Sequence, residues 1–249
     1  WTDQGANDLR LLKSGVQTLG GVPFSILDDG RSGGKSCIVL AAAENRNYLP
    51  KQARVELSEP LSGRKLYLLH AGAWLNPKKN LVGRLTVEYA DGRTKEFRIR
   101  AGRDVADWWS NAGEKNAVRI WSVYNNNSQV SLYGSRFDLD EKPVKAVRFD
   151  AGEDAVWMVA AASIGDAVSL KPIYVKKELR GTYPAPEPVD AAELAEYPRT
   201  GTPKNMPGMP KKLPPTRIAT MTHRLERPVL SPRILGPITL PSSCWSARI

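Results

Sequence analysis

Between Gly83 and Trp109 the chain reads GRLTVEYADGRTKEFRIRAGRDVADWW, and this stretch constrains the fold more than any other. Leu85, Val87 and Tyr89 alternate with Thr86 and Glu88, the two-residue period of a strand with one buried face. Phe97 and Ile99 alternate with charged residues in the same way. Between the two runs, Ala90-Asp91-Gly92-Arg93 offers residues that tolerate the positive φ of a tight turn. The stretch therefore predicts a β-hairpin that runs on through Ala101-Gly102-Arg103-Asp104 into Asp107 and the pair Trp108-Trp109.

The flanking chain supplies strands to complete sheets around that hairpin. Residues 1–20 mix turn formers with Leu9, Leu11 and Leu12, and Trp1 or these leucines are expected to cover the end of a core. Gly21–Leu27 reads as a short strand, with Pro23 near its start or at a sheet edge because proline lacks an N–H. Gly33-Gly34-Lys35-Ser36 has the ending of a phosphate-binding loop, but Asp29 and the strand-like Cys37–Leu40 depart from that pattern. Ala53–Leu57 alternates, and Gly63–Ala73 is an apolar run suited to a strand covered on both faces. His70 within it is expected to be a core residue with satisfied hydrogen bonds. Ala117–Tyr124, Val130–Tyr133 and Lys145–Asp150 follow as strands, and Ala155–Ile164 is apolar enough to lie deep in a sandwich. Many short strands without a convincing amphipathic helix predict an all-β sandwich or jelly roll of antiparallel strands.

Composition divides the chain. Of 19 prolines, six fall in residues 1–180 and 13 in residues 181–249. The expected organisation is a β-sandwich over residues 1–178 and a Pro-rich extended linker or tail over 179–249. The net charge of +10 splits as +6 (27 basic, 21 acidic) before residue 181 and +4 (9 basic, 5 acidic) after it. Because the basic residues are interspersed with acids, this charge argues against a nucleic-acid track. Cys37 and Cys244 form no disulfide framework, two histidines supply a zinc site poorly, and no apolar run is long enough to cross a bilayer. The start at Trp1 fits removal of an export signal or excision from a longer protein.

Leu66-Tyr67-Leu68-Leu69-His70-Ala71, Tyr89-Ala90-Asp91-Gly92 and Asp107-Trp108-Trp109 stand in an order that resembles galactose-binding-like β-sandwich modules of bacterial glycoside hydrolases. Gly21–Ile26 and the strands of Val147–Ile164 extend the likeness over roughly residues 7 to 168. Glu141-Lys142-Pro143 stands where that family often has an Asn-Pro turn. The resemblance implies a jelly roll and a secreted or periplasmic, carbohydrate-related setting. It is compatible both with sugar binding and with bracing a catalytic domain of the same longer protein.

Sugar recognition needs flat aromatic faces for the C–H face of a pyranose, and planar polar groups for its hydroxyls. Trp74, Trp108, Trp109, Trp121 and Tyr124 supply rings near predicted strand ends. Asp107, Asn111, Asn116, Asn125, Asn126 and Asn127 supply polar partners in adjoining loops. Tryptophans in sandwiches more often fill the core, and adjacent Trp108 and Trp109 would point to opposite faces, so at most one should be exposed. Hydrolysis would need two carboxylates flanking a bond, from Asp104 with Asp107 or from Asp138, Asp140 and Glu141. No Gly-x-Ser-x-Gly elbow is present. A structural calcium at Asp28 or Asp29 would suit the fold, although these residues do not follow calcium-loop spacing. The reading at this level is a non-catalytic module that binds a polysaccharide or oligosaccharide or braces a polysaccharide-degrading enzyme; the alternative is a glycoside hydrolase.

Overall fold

The computed structural model describes residues 8–28, 30–32, 36–76, 81–110, 113–124, 128–152 and 155–174. The expected tail over 179–249 lies outside them. Among the described residues the chain forms eleven strands and a single 3-10 turn, Glu44–Arg46. The strands are β1 (Gly15–Leu19), β2 (Val22–Ile26), β3 (Ile38–Leu40), β4 (Gln52–Leu61), β5 (Lys65–Ala73), β6 (Leu81–Tyr89), β7 (Thr94–Arg100), β8 (Val118–Tyr124), β9 (Gln129–Asp138), β10 (Val144–Ala151) and β11 (Val156–Gly165).

Two antiparallel sheets, ordered β3-β11-β5-β9-β8 and β4-β10-β6-β7, face each other, and β1-β2 forms a separate hairpin. The chain passes repeatedly between the sheets, and the orders β3-β11-β5-β9 and β4-β10-β6-β7 are those of a jelly roll. The alternation read at β6 and β7 forms the expected hairpin, with Leu85 opposite Phe97 and Val87 opposite Lys95. Its turn is a three-residue loop: Gly92 N–H donates to Tyr89 O at 3.0 Å, and Gly92 takes φ +84.

Two layers of core result. Leu66 and Leu68 of β5, Leu85 and Val87 of β6, Val147 and Phe149 of β10 and Trp157 of β11 fill the space between the sheets. Tyr67, Leu69 and Ala71 point the other way, where the β1-β2 hairpin covers them with Val22, Phe24 and Ile26. The central strands β5 and β11 are thereby enclosed on both faces. Leu9, Leu11 and Leu12 pack on this outer layer; Trp1, the other residue expected to cover the core, lies outside the described residues. Pro23 lies opposite Thr18 near the start of β2.

Two features go beyond the sequence expectations. The polar GVQTL of β1 becomes a strand because Gly20 (φ +61) and Gly21 (φ +89) form a two-residue turn that returns it along β2. The strand read over Val130–Tyr133 extends to Asp138, pairing with β5 as far as Lys65.

A candidate binding end of the sandwich

Register places the relevant loops together. Leu40 at the end of β3 lies opposite Trp157, and Ala73 at the end of β5 lies opposite Val156. The loops after β3 and β5 and the one before β11 therefore share one end of the sandwich. His70 pairs with Tyr133, so Gln129, four residues earlier in β9, reaches the level of Trp74. Gln129 pairs with Tyr124, which brings the β8-β9 turn to the same end.

A short extended segment is inserted between β5 and β9 where these strands diverge. Gly72 N–H donates to Ala106 O and Trp108 N–H donates to Gly72 O, both at 3.0 Å, while Ser131 N–H donates to Trp108 O at 2.8 Å. Bonded on both sides, Trp108 is driven into the core, where it is 0% exposed. This corrects its nomination as a stacking residue: it has no face to offer a ligand. Trp109 is the partly exposed member of the pair, its ring 4.7 Å from that of Trp108.

Asp107 ties this segment to the loop after β5. Its carboxylate accepts the N–H of Trp109 at 3.0 Å and that of Leu75. Burial raises its pKa, and the two N–H donors oppose the rise. Asp107 thus accepts backbone N–H groups from both segments and acts as a brace between the two loops. Trp74, beside Leu75, has φ +54, a left-handed conformation that is strained for a tryptophan. Its ring packs on the outer core, and the guanidinium carbon of Arg46, from the 3-10 turn after β3, lies 4.2 Å from the ring centroid. Arg46 was not singled out in the sequence, since its importance depends on a ring brought to it by the fold.

Tyr124 is partly exposed at the end of β8, and Trp121, three residues earlier, is a partly buried ring packed on the outer core. Sequence-nominated Asn111, Asn125, Asn126 and Asn127 lie outside the described residues. Asn116 lies away from the Trp74 group: its Nδ2–H donates to Asp104 and to Arg136 O, both at 3.1 Å.

The acids considered for hydrolysis have internal partners. Asp104, 2% exposed, accepts Arg100 N–H and Asn116 Nδ2–H, each at 3.1 Å. Asp138 pairs with Lys65, Asp140 with Lys95 and Glu141 with Arg64. His70 and Ser135 stand 2.8 Å apart, yet both are 0% exposed. Trp157 Nε1–H donates to His70 Nδ1 at 3.0 Å, so the neutral ring carries its proton on Nε2 and donates to Ser135, whose hydroxyl donates to Asp104 O at 2.5 Å. Burial lowers the His70 pKa to about 3, and the chain of bonds is a core network. Burial also pushes the Cys37 thiol up to about 11, leaving little thiolate at neutral pH. The Asp28 carboxylate accepts Gly30 N–H within its own turn, Asp29 lies outside the described residues, and among those described no three potential metal ligands cluster. No described helix is long and apolar enough to cross a membrane.

No family model, curated protein or solved structure matches the chain.

Proposed function

We propose that this chain is a non-catalytic β-sandwich module that binds glycan weakly, or braces the catalytic domain of a polysaccharide-degrading enzyme, in a secreted or periplasmic setting. The observation that supports this reading best is the gathering of partly exposed Trp109 and Tyr124, with the Arg46-capped Trp74 beside them, on loops and strand ends at one end of the sandwich. Few exposed rings on a fixed frame suit shallow contact with a sugar. The internally bonded Asp104 and Asp107 carboxylates fit retention of substrate better than its cleavage.

Migration of the purified chain through native gels cast with soluble polysaccharides tests the reading, with reducing ends assayed in the same mixtures. Retardation without new reducing ends, reduced in Trp74→Ala and Trp109→Ala proteins that retain their circular dichroism, supports a binding module. New reducing ends would overturn the non-catalytic assignment in favour of a hydrolase. Absence of both leaves the bracing arm, for which a stable complex with the companion domain is the required result.

A further inference from the structure

We infer that the stacked pair Arg46-Trp74 is a subsite for an oxyanion substituent, carboxylate or sulfate, on an acidic glycan. This rests on the glycan-binding reading and names its substrate class. Trp74 is poorly placed to be a bare stacking platform, because Arg46 lies over its ring and the indole also packs on the outer core. The group presented at this position is the guanidinium. With its guanidinium carbon held 4.2 Å from the ring centroid, Arg46 can still turn N–H groups toward a planar or tetrahedral oxyanion, the geometry a guanidinium binds through paired hydrogen bonds.

Two further observations favour an anion. Among the described residues no acid forms an ion pair with Arg46; its one side-chain bond is a long one, 3.3 Å from Nη1 to Asn45 Oδ1. Nearby, Asp107 is engaged by two backbone N–H groups and Asp150 by Arg148, while Glu44, in the same 3-10 turn, forms no ion pair with Arg46 among the described residues. The strain at Trp74 is consistent with a ring held in place for a purpose beyond filling space.

The test is affinity electrophoresis of the full chain at two salt concentrations. The gels contain polygalacturonate, its fully methyl-esterified form, dextran sulfate, unsubstituted dextran or a neutral galactan, and double-stranded DNA is titrated as a non-glycan polyanion. Retention by polygalacturonate that is lost on esterification identifies a carboxylate; retention by dextran sulfate but not dextran identifies a sulfate. In either case Arg46→Met, which keeps an apolar cover on Trp74, is expected to weaken retention about tenfold or more. Arg46→Lys, which keeps charge but loses the fork, should recover only part of it. Equal retention by esterified or neutral polymers overturns the oxyanion subsite while leaving glycan binding intact. DNA binding of equal strength, unaffected by Arg46→Met, overturns it in favour of general polyanion attraction. Retention by none of the glycans overturns both the subsite and the glycan-binding reading on which it rests.

Discussion

Gly83 of β6 lies directly against the indole of Trp157 in β11: a β-carbon at position 83 would stand 2.6 Å from Trp157 Cε3 and 2.7 Å from Asp150 O. The opposite sheet thus leaves room for the largest side chain between the layers, and that indole in turn donates to His70. Gly83→Ala is expected to lose about 1–3 kcal/mol of stability through overpacking. Chemical denaturation measures the loss, and near-ultraviolet dichroism should report a displaced tryptophan.

His70 makes stability depend on mildly acidic pH. Its folded pKa of about 3 lies below the ordinary 6.5, so the unfolded chain takes up the proton first. The contribution is fully present above pH 6.5 and is lost as the pH falls from 6.5 toward 3, by at most about tenfold in the folding equilibrium per pH unit. Glu88, Asp91 and Asp138, held low by Arg54, Lys142 and Lys65, add further losses in a more acidic range. Asp107, whose pKa is raised, works in the opposite direction. His70→Gln should be less stable at neutral pH by about 1–3 kcal/mol. Denaturation midpoints between pH 6.5 and 4.5 should nevertheless fall less steeply for the variant than for the parent chain.

Trp74 should invert an ordinary order of substitution. Alanine at this position keeps the unfavourable φ of +54, whereas glycine relieves it. Trp74→Gly is therefore expected to be more stable than Trp74→Ala by about 1 kcal/mol, although both lose the ring. A less stable glycine variant would contradict the strained backbone assigned here.

The adjacent tryptophans should separate sharply. Trp108→Ala empties a fully enclosed site beside Gly72 and Ser131 and should lose about 3–5 kcal/mol, which thermal melting will register. Trp109→Ala, at a partly exposed position, should lose less than about 2 kcal/mol. Loss of glycan retention by Trp109→Ala without loss of fold would place that ring at the ligand.

These contrasts mark where a linear reading of the chain stops. The alternation of Leu85-Val87-Tyr89 and of Lys145–Asp150 was legible because a half-buried strand writes its inner face every second residue. Gly63–Ala73 and Ala155–Ile164 were legible as continuous apolar runs because both faces of β5 and β11 are covered. The polar β1 carried no such pattern, its partner being supplied by the Gly20-Gly21 turn. Alternation also showed that Trp108 and Trp109 could not share a face, but not which would be enclosed. That is decided by the hydrogen bonds Trp108 makes to Gly72 O and from Ser131 N–H, both distant in the chain. Arg46 escaped notice for the same reason: its significance comes from an indole delivered by the end of another strand.

The segment after β11 has a mechanical consequence. Lys171 N–H donates to Gly20 O and Ile173 N–H donates to Arg119 O, each at 2.9 Å, while Tyr67 Oη donates to Asp166 O at 2.7 Å. These bonds lash the final described residues across the β1-β2 turn and onto the outer edge of β8. A tensile load applied to the chain beyond Tyr174 would meet the fastenings at Ile173 and Lys171 before reaching the buried β11. Because each is a separate bond along one strand of chain, they would yield one after another, starting at Ile173, before the load reached β11.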